Sequence, residues 1–171
     1  MDALDLANYI VEKQIRTQEF TDAISLQKVL YFVNARFMQF RQKPVPIFND
    51  QIQKWKYGPV VPEVYHTYKL FGPMEITSIP ASQAFFWNTD DFLKELREEF
   101  GLESRYLDSW IEEFIGRPPF ELVDLTHEHA LWRQDEERIR GGYLEISYDL
   151  NDLLEEIQMN PLRFFGEVRE H

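Results

Sequence analysis

Two histidines separated by one residue, His127 and His129, are the first candidates for chemistry in this chain. On a β-strand, side chains two positions apart point to the same side, so both rings could bind one metal ion. The surrounding pattern favours a helix, on which the two rings would lie about 200° apart around the axis. The sequence therefore favours histidines that cap or pack a helix end. A metal- or nucleotide-dependent enzyme centred on His127 remains an alternative.

Other signatures of catalysis are missing from the sequence. The chain has no cysteine, which excludes thiol catalysis, thiolate zinc sites and disulfides. Gly141-Gly142 lacks the lysine and hydroxyl residue of a phosphate-binding loop, and there is no Gly-x-Ser-x-Gly elbow. Adjacent carboxylates are typical of solvated helix faces, and they occur at Glu98-Glu99, Glu112-Glu113 and Glu155-Glu156. The motifs examined therefore leave His127 as the one enzymatic candidate in the sequence.

Binding chemistry is better represented, in the segment 36–69. Six Lys or Arg residues stand there against only Asp50 and Glu63, and seven aromatic residues are interleaved with them. Such a surface can anchor a protein partner or stack nucleic-acid bases. The interpretation that we favour for most of these rings is core, with the cations around its edge. Within this segment, residues 55–66 combine aromatic rings with a glycine and two prolines, which fix the backbone.

Charge is distributed unevenly along the chain. The net charge is −12, of which residues 1–88 contribute +1 and residues 89–171 contribute −13. The acidic second half argues against nucleic acid and suits a basic protein partner. A helix-turn-helix regulator would need more basic and amide side chains than the later helices offer.

Nothing in the sequence predicts contact with a membrane. The N-terminus lacks the basic and apolar blocks of a signal peptide, and no apolar run approaches the roughly 18 residues that span a bilayer. We therefore expect a cytoplasmic protein with no membrane partner.

Hydrophobic periodicity predicts a mainly helical (α+β) single domain over 1–171, with about six to seven helices. The most aromatic helix runs over 25–42, and Pro62 suits the first position of a later one. Apolar runs around the polar residues 49–51 predict a small β-hairpin near residues 45–56. Residues 74–86 have no clear period and are predicted to form a loop, with a short strand over 74–79 as the alternative. Helix caps are predicted at Ser25, Thr89 and Ser147.

Two parts of the sequence resemble the Panacea domain family, which includes SocA-like antitoxins and phage-associated GepA-like proteins. The first comprises ISLQKVLYF at residues 24–32 and WKYGPVVPEVY at residues 55–65. The second is FELVDLTH at residues 120–127, followed by Trp132. The similarity covers roughly residues 5–157, and it leaves 158–171 as a C-terminal tail that matches no family motif.

This resemblance implies a binding protein rather than an enzyme, with no cofactor or metal. It would be an antitoxin of a bacterial or prophage toxin–antitoxin system, which neutralises a partner toxin by direct contact. The SocA branch implies an alternative, an adaptor that delivers the toxin to the ClpXP protease. The candidate partner-binding residues are Trp55, Tyr57, Tyr65, His66, His127 and Trp132, of which Trp55 and Tyr57 are the best candidates if exposed. The residues assigned to family-specific structure are Tyr31, Gly58, Pro59, Pro62 and Thr126.

A toxin that acts on RNA, nucleotides or the translation apparatus usually has a basic site, which the acidic half of this chain could cover by charge complementarity. This hypothesis predicts that charge reversal of four carboxylates weakens toxin binding, namely Glu112, Glu113, Glu155 and Glu156.

Overall fold

One long helix lies at the centre of the computed structural model, which describes residues 1–167. This helix, α2 (Ala23–Arg41), buries fourteen of its 19 residues. It contacts α1, α3, α6, α7, α10 and β2, whose bounds follow. A helix that is covered on every side needs apolar residues around its whole circumference, which explains why the aromatic residues of this segment extend beyond one stripe.

The remaining elements follow in chain order. They are α1 (Ala3–Thr17), β1 (Gln53–Trp55), β2 (Gly58–Val60), α3 (Pro62–Tyr68), a 3-10 turn (Lys69–Phe71), α4 (Ala81–Ala84), α5 (Thr89–Phe100), α6 (Ser104–Ile115), α7 (Pro119–Glu128), α8 (Ala130–Arg133), α9 (Glu136–Arg140), α10 (Leu150–Met159) and α11 (Pro161–Phe164). The mainly helical class with a small hairpin is confirmed. Residues 1–167 contain eleven α-helices rather than six or seven, because four of them have only four or five residues.

The hairpin lies further along the chain than its predicted position. Gln53 pairs with Val60 and Trp55 pairs with Gly58, so the turn is Lys56-Tyr57 and not the polar residues 49–51. Those earlier residues are held elsewhere, since Asp50 accepts a hydrogen bond from the backbone N–H of Ala3 at 2.8 Å. The predicted position was wrong because the polar turn residues are satisfied by α1.

The predicted loop over 74–86 contains the short helix α4, and the alternative strand over 74–79 does not form among the described residues. This segment is irregular, and Ile76 is fixed by a backbone hydrogen bond from its N–H to the carbonyl of Thr21 at 2.8 Å. One buried isoleucine with one backbone contact is enough to position the loop without a sheet.

Three helix caps differ from the predictions at Ser25, Thr89 and Ser147. The side chains that accept from the third backbone N–H of their helices belong to Asp22, Asn88 and Asp149. Acidic and amide side chains reach this N–H as well as hydroxyls do, and a carboxylate also favours the positive end of the helix dipole. Thr89 instead directs its hydroxyl to the carboxylate of Glu12 at 2.7 Å.

The predicted C-terminal tail contributes to the hydrophobic core. After α10, the short helix α11 places Phe164 and Phe165 among the buried residues, where both rings lie near Phe32. Residues 168–171 of that tail lie outside the described part of the chain. None of the helices over residues 1–167 has the length and apolarity that crossing a bilayer requires.

The stacked pair of Phe32 and Phe114, whose ring centroids lie 4.9 Å apart, gives a test of this core. Phe32 is fully buried, so Phe32→Ala should lower the free energy of unfolding by about 3–5 kcal/mol through lost burial and a cavity. Phe120→Ala is the matched control, because Phe120 is 81% exposed and its loss should change stability by less than about 0.5 kcal/mol. Denaturant unfolding measures both, and equal effects would contradict the central position of α2.

Candidate functional site

The turn of the hairpin is held by side chains of the second segment that resembles the family, residues 120–127 and Trp132. The indole Nε1 of Trp132 donates to the carbonyl of Trp55 at 2.9 Å. The ring Nε2 of His127 donates to the carbonyl of Lys56 at 3.0 Å, and this ring stacks on Trp132 with centroids 4.1 Å apart. Burial lowers the pKa of His127, and the hydrogen bond to the carbonyl of Lys56 acts in the opposite direction.

Helix α2 holds the other side of the same turn. The Nζ of Lys28 donates to the carbonyl of Pro59 at 3.0 Å, and the Oε1 of Gln27 accepts from the N–H of Val61 at 2.8 Å. Four hydrogen bonds from side chains therefore fix the backbone of residues 55–61. A short hairpin of two strands is marginal alone, and these contacts supply the support it needs.

Close packing at Gly58 brings these parts together. Its φ of +104° lies in a region that side chains rarely adopt. A β carbon at this position would lie 2.6 Å from the Oγ1 of Thr126 and 3.0 Å from the Cε of Lys28. Thr126 is itself fixed, since its hydroxyl donates to the carbonyl of Val123 at 2.8 Å. Only glycine permits this approach of the hairpin to α7 and α2.

Beside the hairpin is a cavity of about 440 Å³, which we call the hairpin pocket. It lies between the beginning of α2, the hairpin, α3 and the chain that follows α3, and it is lined by Ala23, Ile24, Gln27, Lys28, Trp55, Lys56, Tyr57, Val60, Tyr65, Lys69, Gly72 and Pro73. Trp55 and Tyr65 meet edge to face, with ring centroids 5.1 Å apart. Tyr57 is 55% exposed.

The structure thus brings together three of the six predicted contact residues, Trp55, Tyr57 and Tyr65, in one pocket. His66 is exposed at its edge, and its ring centroid lies 5.7 Å from that of Tyr65. His127 lies beneath the turn, half-buried. Trp132 is only 1% exposed, so we assign it to the support of the hairpin. The contact role of these residues stays a prediction.

Gln27 and Lys28 form the buried polar part of the hairpin pocket, and sequence reasoning missed them. Lys28 is fully buried, and burial lowers its pKa to about 7. Gln27 is 2% exposed, and its Nε2 has no hydrogen-bond partner among the described residues. The available signal was an adjacent amide and cation, inside a stretch of helix in which most other residues are apolar.

A second buried polar cluster surrounds His129 and is separate from His127. The Nε2 of His129 donates to the carbonyl of Phe164 at 3.0 Å, so its Nδ1 accepts from the hydroxyl of Tyr31 at 2.8 Å. The ring also stacks on Phe164, with centroids 4.0 Å apart. Burial lowers the pKa of His129 to about 4, which keeps the ring neutral. Tyr31 and His129 therefore connect α2 to α11.

The two histidines of the sequence motif have different partners and do not converge. Over residues 1–167, no group of three or more His, Asp or Glu side chains is arranged to hold a metal ion. His171, the remaining histidine beyond His66, lies outside the described residues.

Three of the four carboxylates that were predicted to contact a toxin make ion pairs or hydrogen bonds within the protein. Glu112 pairs with Lys13 at 3.0 Å, and Glu113 pairs with Arg36. Glu156 accepts the backbone N–H groups of Ala130 and Leu131 at 3.0 and 2.9 Å. Reversing these charges would disturb the fold as well as a partner.

The basic character of the segment 36–69 is also reduced by internal pairing. Lys54 is buried and pairs with Asp135 at 2.7 Å, while Arg36 lies over the ring of Phe165. The cations left at the hairpin pocket are Lys28, Lys56 and Lys69.

Comparison with known proteins identifies the family of this chain. The family model described as "Antitoxin SocA-like, Panacea domain" matches residues 26–133, which is more than half of the chain. This chain belongs to the SocA-like Panacea domain family. The matched range includes every side chain that holds the hairpin turn, from Gln27 to Trp132. No solved structure gives a significant match.

One relative is Antitoxin SocA of Caulobacter vibrioides (strain NA1000 / CB15N), which is 36% identical over 76 residues. The aligned stretch covers 44% of this chain and 39% of that relative, so the Panacea chain matches less than half of the relative's length.

The close packing at Gly58 predicts a large effect of one methyl group. Gly58→Ala should lower the free energy of unfolding by about 2–4 kcal/mol, from backbone strain and from the contact with Thr126. Gly101→Ala should cost only about 1 kcal/mol, since Gly101 has positive φ but open space around it. Adding Thr126→Ala to Gly58→Ala should recover part of the loss. Equal effects of the two glycine variants would contradict this packing.

Buried Lys28 predicts a pH dependence of stability. Its pKa is about 7 in the folded chain and near 10.5 in an exposed lysine, so the unfolded chain binds an extra proton between these values. The native protein should therefore gain stability from this site as the pH rises from 7 to 10. Lys28→Met lacks the gain, and its stability relative to the native chain should fall by roughly 1 kcal/mol or more over this range.

Thermal unfolding at several pH values measures the difference between the native chain and Lys28→Met. Lys43→Met removes an exposed lysine and should give a difference that is independent of pH. A constant difference for Lys28→Met as well would show that the folded and unfolded chains protonate this lysine equally.

Proposed function

We propose that this Panacea chain is an antitoxin that neutralises a partner toxin by direct contact, through the hairpin turn and the hairpin pocket. The observation that carries the proposal is the exposed Tyr57 on a turn whose backbone is fixed by four hydrogen bonds from side chains. An aromatic residue whose backbone is already fixed has less freedom to lose on binding, and aromatic residues supply much of the affinity of protein interfaces.

Membership of a family of SocA-like antitoxins supports this proposal, and so does the way the motif is used. Several of its residues, such as His127, Trp132 and Gly58, hold the turn rather than reach outward. Such a scaffold can keep its internal contacts while the exposed residues change with the toxin. This function requires no catalysis, and the contacts of His127 with Lys56 and Trp132 favour a supporting role for it over an enzymatic one.

Tyr57→Ala should weaken binding of the toxin at least tenfold, about 1.4 kcal/mol, while the melting temperature stays close to that of the native chain. The test uses the protein encoded beside this gene, expressed from an inducible promoter with and without the antitoxin. Growth reports neutralisation, and calorimetric titration of the purified pair gives the affinity.

The matched control is Phe85→Ala with Phe86→Ala, which removes two aromatic residues that are 85% and 82% exposed outside the hairpin pocket. We expect this double variant to neutralise normally. If it fails while Tyr57→Ala neutralises, the toxin binds at that aromatic pair instead. Absence of any contact between the native chain and a growth-arresting neighbour would overturn the proposed function.

The same growth assay distinguishes the adaptor function from neutralisation by direct contact. Neutralisation by direct contact should persist in a strain that lacks ClpX, with the toxin still present in a complex. If protection requires ClpX and the toxin disappears, the chain acts by delivery to the ClpXP protease.

A further inference from the structure

The hairpin pocket has a charge opposite to that of the whole protein. Its twelve lining residues include Lys28, Lys56 and Lys69 and neither Asp nor Glu, although the chain carries a net charge of −12. Glu63 on α3 does not line the pocket, and its side chain is directed toward other acids, chiefly Asp50. Burial and, to a smaller extent, these neighbouring carboxylates raise the pKa of Glu63. An isolated cationic pocket in an acidic protein favours an anionic occupant by charge complementarity.

The buried end of the pocket has unused donors. Lys28 is fully buried, and the hydrogen bond found for its Nζ in the described chain is the one to Pro59, whereas a lysine Nζ can donate two as the neutral amine and three as the ammonium group. The Nε2 of Gln27 is buried and unpartnered among residues 1–167. Buried donors without acceptors are costly, and a cation in a region of low polarity more so. A carboxylate entering here would supply acceptors for both groups and favour the charged form of Lys28. The carboxylate of Asp22 opposes the effect of burial on the pKa of Lys28, but it lies outside the pocket lining and accepts from the N–H of Ser25.

Apolar surface extends past the mouth of the pocket. Ile24 and Tyr57 line it and are 43% and 55% exposed, while Leu70 and Met74 adjoin lining residues in the chain and are 67% and 69% exposed. A free small carboxylate would cover the donors and leave this apolar surface in water. A polypeptide segment can cover both, so the geometry favours a protein as the source of the carboxylate.

We propose that the hairpin pocket takes an acidic segment of the partner protein. A carboxylate of that segment reaches Lys28 and Gln27, and a neighbouring apolar or aromatic side chain packs against Trp55 and Tyr65. This inference rests on the proposed function and adds the chemistry of the toxin segment that is bound. It differs from the expectation that the acidic half of the chain meets a basic toxin, because it places an acidic part of the toxin at the hairpin.

Charge reversal at the rim tests this proposal without altering the core. Lys56 and Lys69 are exposed, so Lys56→Glu with Lys69→Glu should leave the melting temperature unchanged. At low salt, this double variant should bind the co-expressed toxin at least tenfold more weakly than the native chain, and the loss should shrink as salt is added. Lys43→Glu with Lys94→Glu makes the same change in net charge outside the pocket and should bind normally.

The outcomes separate the two proposals. Equal affinities for the native chain and both double variants would overturn the acidic segment while the antitoxin function stands. Equal weakening of both variants would show a general charge effect, which also overturns it. If the native chain binds no toxin, the proposed function fails, and the pocket is then judged by a measurement that needs no toxin.

That measurement follows the indole N–H signals of the four tryptophans by NMR, with Trp55→Phe used for assignment. The probes are two capped peptides, Gly-Phe-Glu-Leu-Glu-Gly and Gly-Phe-Lys-Leu-Lys-Gly, at millimolar concentration. The acidic peptide should shift the Trp55 signal and leave that of Trp110, which packs against Phe37 and Phe40, in place. No shift of Trp55, or an equal shift with the basic peptide, would overturn the proposal.

Discussion

The approach of Gly58 to Thr126 is the constraint on which the rest of this structure depends. Because no β carbon stands between them, the backbone of the hairpin comes close enough to α7 and α2 for side chains to reach its carbonyls. The turn then projects Tyr57 into solvent with its backbone fixed. Without this approach, a two-stranded hairpin of three residues per strand would have little to stabilise it.

The buried polar residues of α2 follow from the same constraint. Irregular backbone inside a core leaves N–H and C=O groups without partners, and each must be satisfied. Gln27 and Lys28 serve the hairpin, while Asn34 accepts from the N–H of Ile47 at 2.9 Å. These side chains replace the neighbouring strands that a larger sheet would provide. The central helix is therefore both the core of the fold and the source of hydrogen bonds for the segments around it.

The difference between local patterns and contacts of distant residues explains which features the sequence could predict. The helical class, the start of α3 at Pro62 and the closeness of Trp55, Tyr57 and Tyr65 follow from local patterns, because periodicity and proline geometry act over a few residues. The position of the hairpin turn does not follow from local patterns, because it depends on Thr126, which is far away in the chain. The burial of Phe164 is missed for the same reason, because it depends on His129.

The electrostatics of the hairpin pocket depend on the local set of charges more than on the net charge of the chain. Charges separated by more than about 8 Å in water are largely screened at physiological salt, so the net charge of the chain says little about one pocket. What acts there is the local set of three lysines, one of them buried where screening is weak. Lys28 remains in this place because its Nζ satisfies the carbonyl of Pro59, so the contact that fixes the turn also supplies the buried cation. Rigidity of the hairpin and the proposed binding of a carboxylate therefore depend on the same lysine.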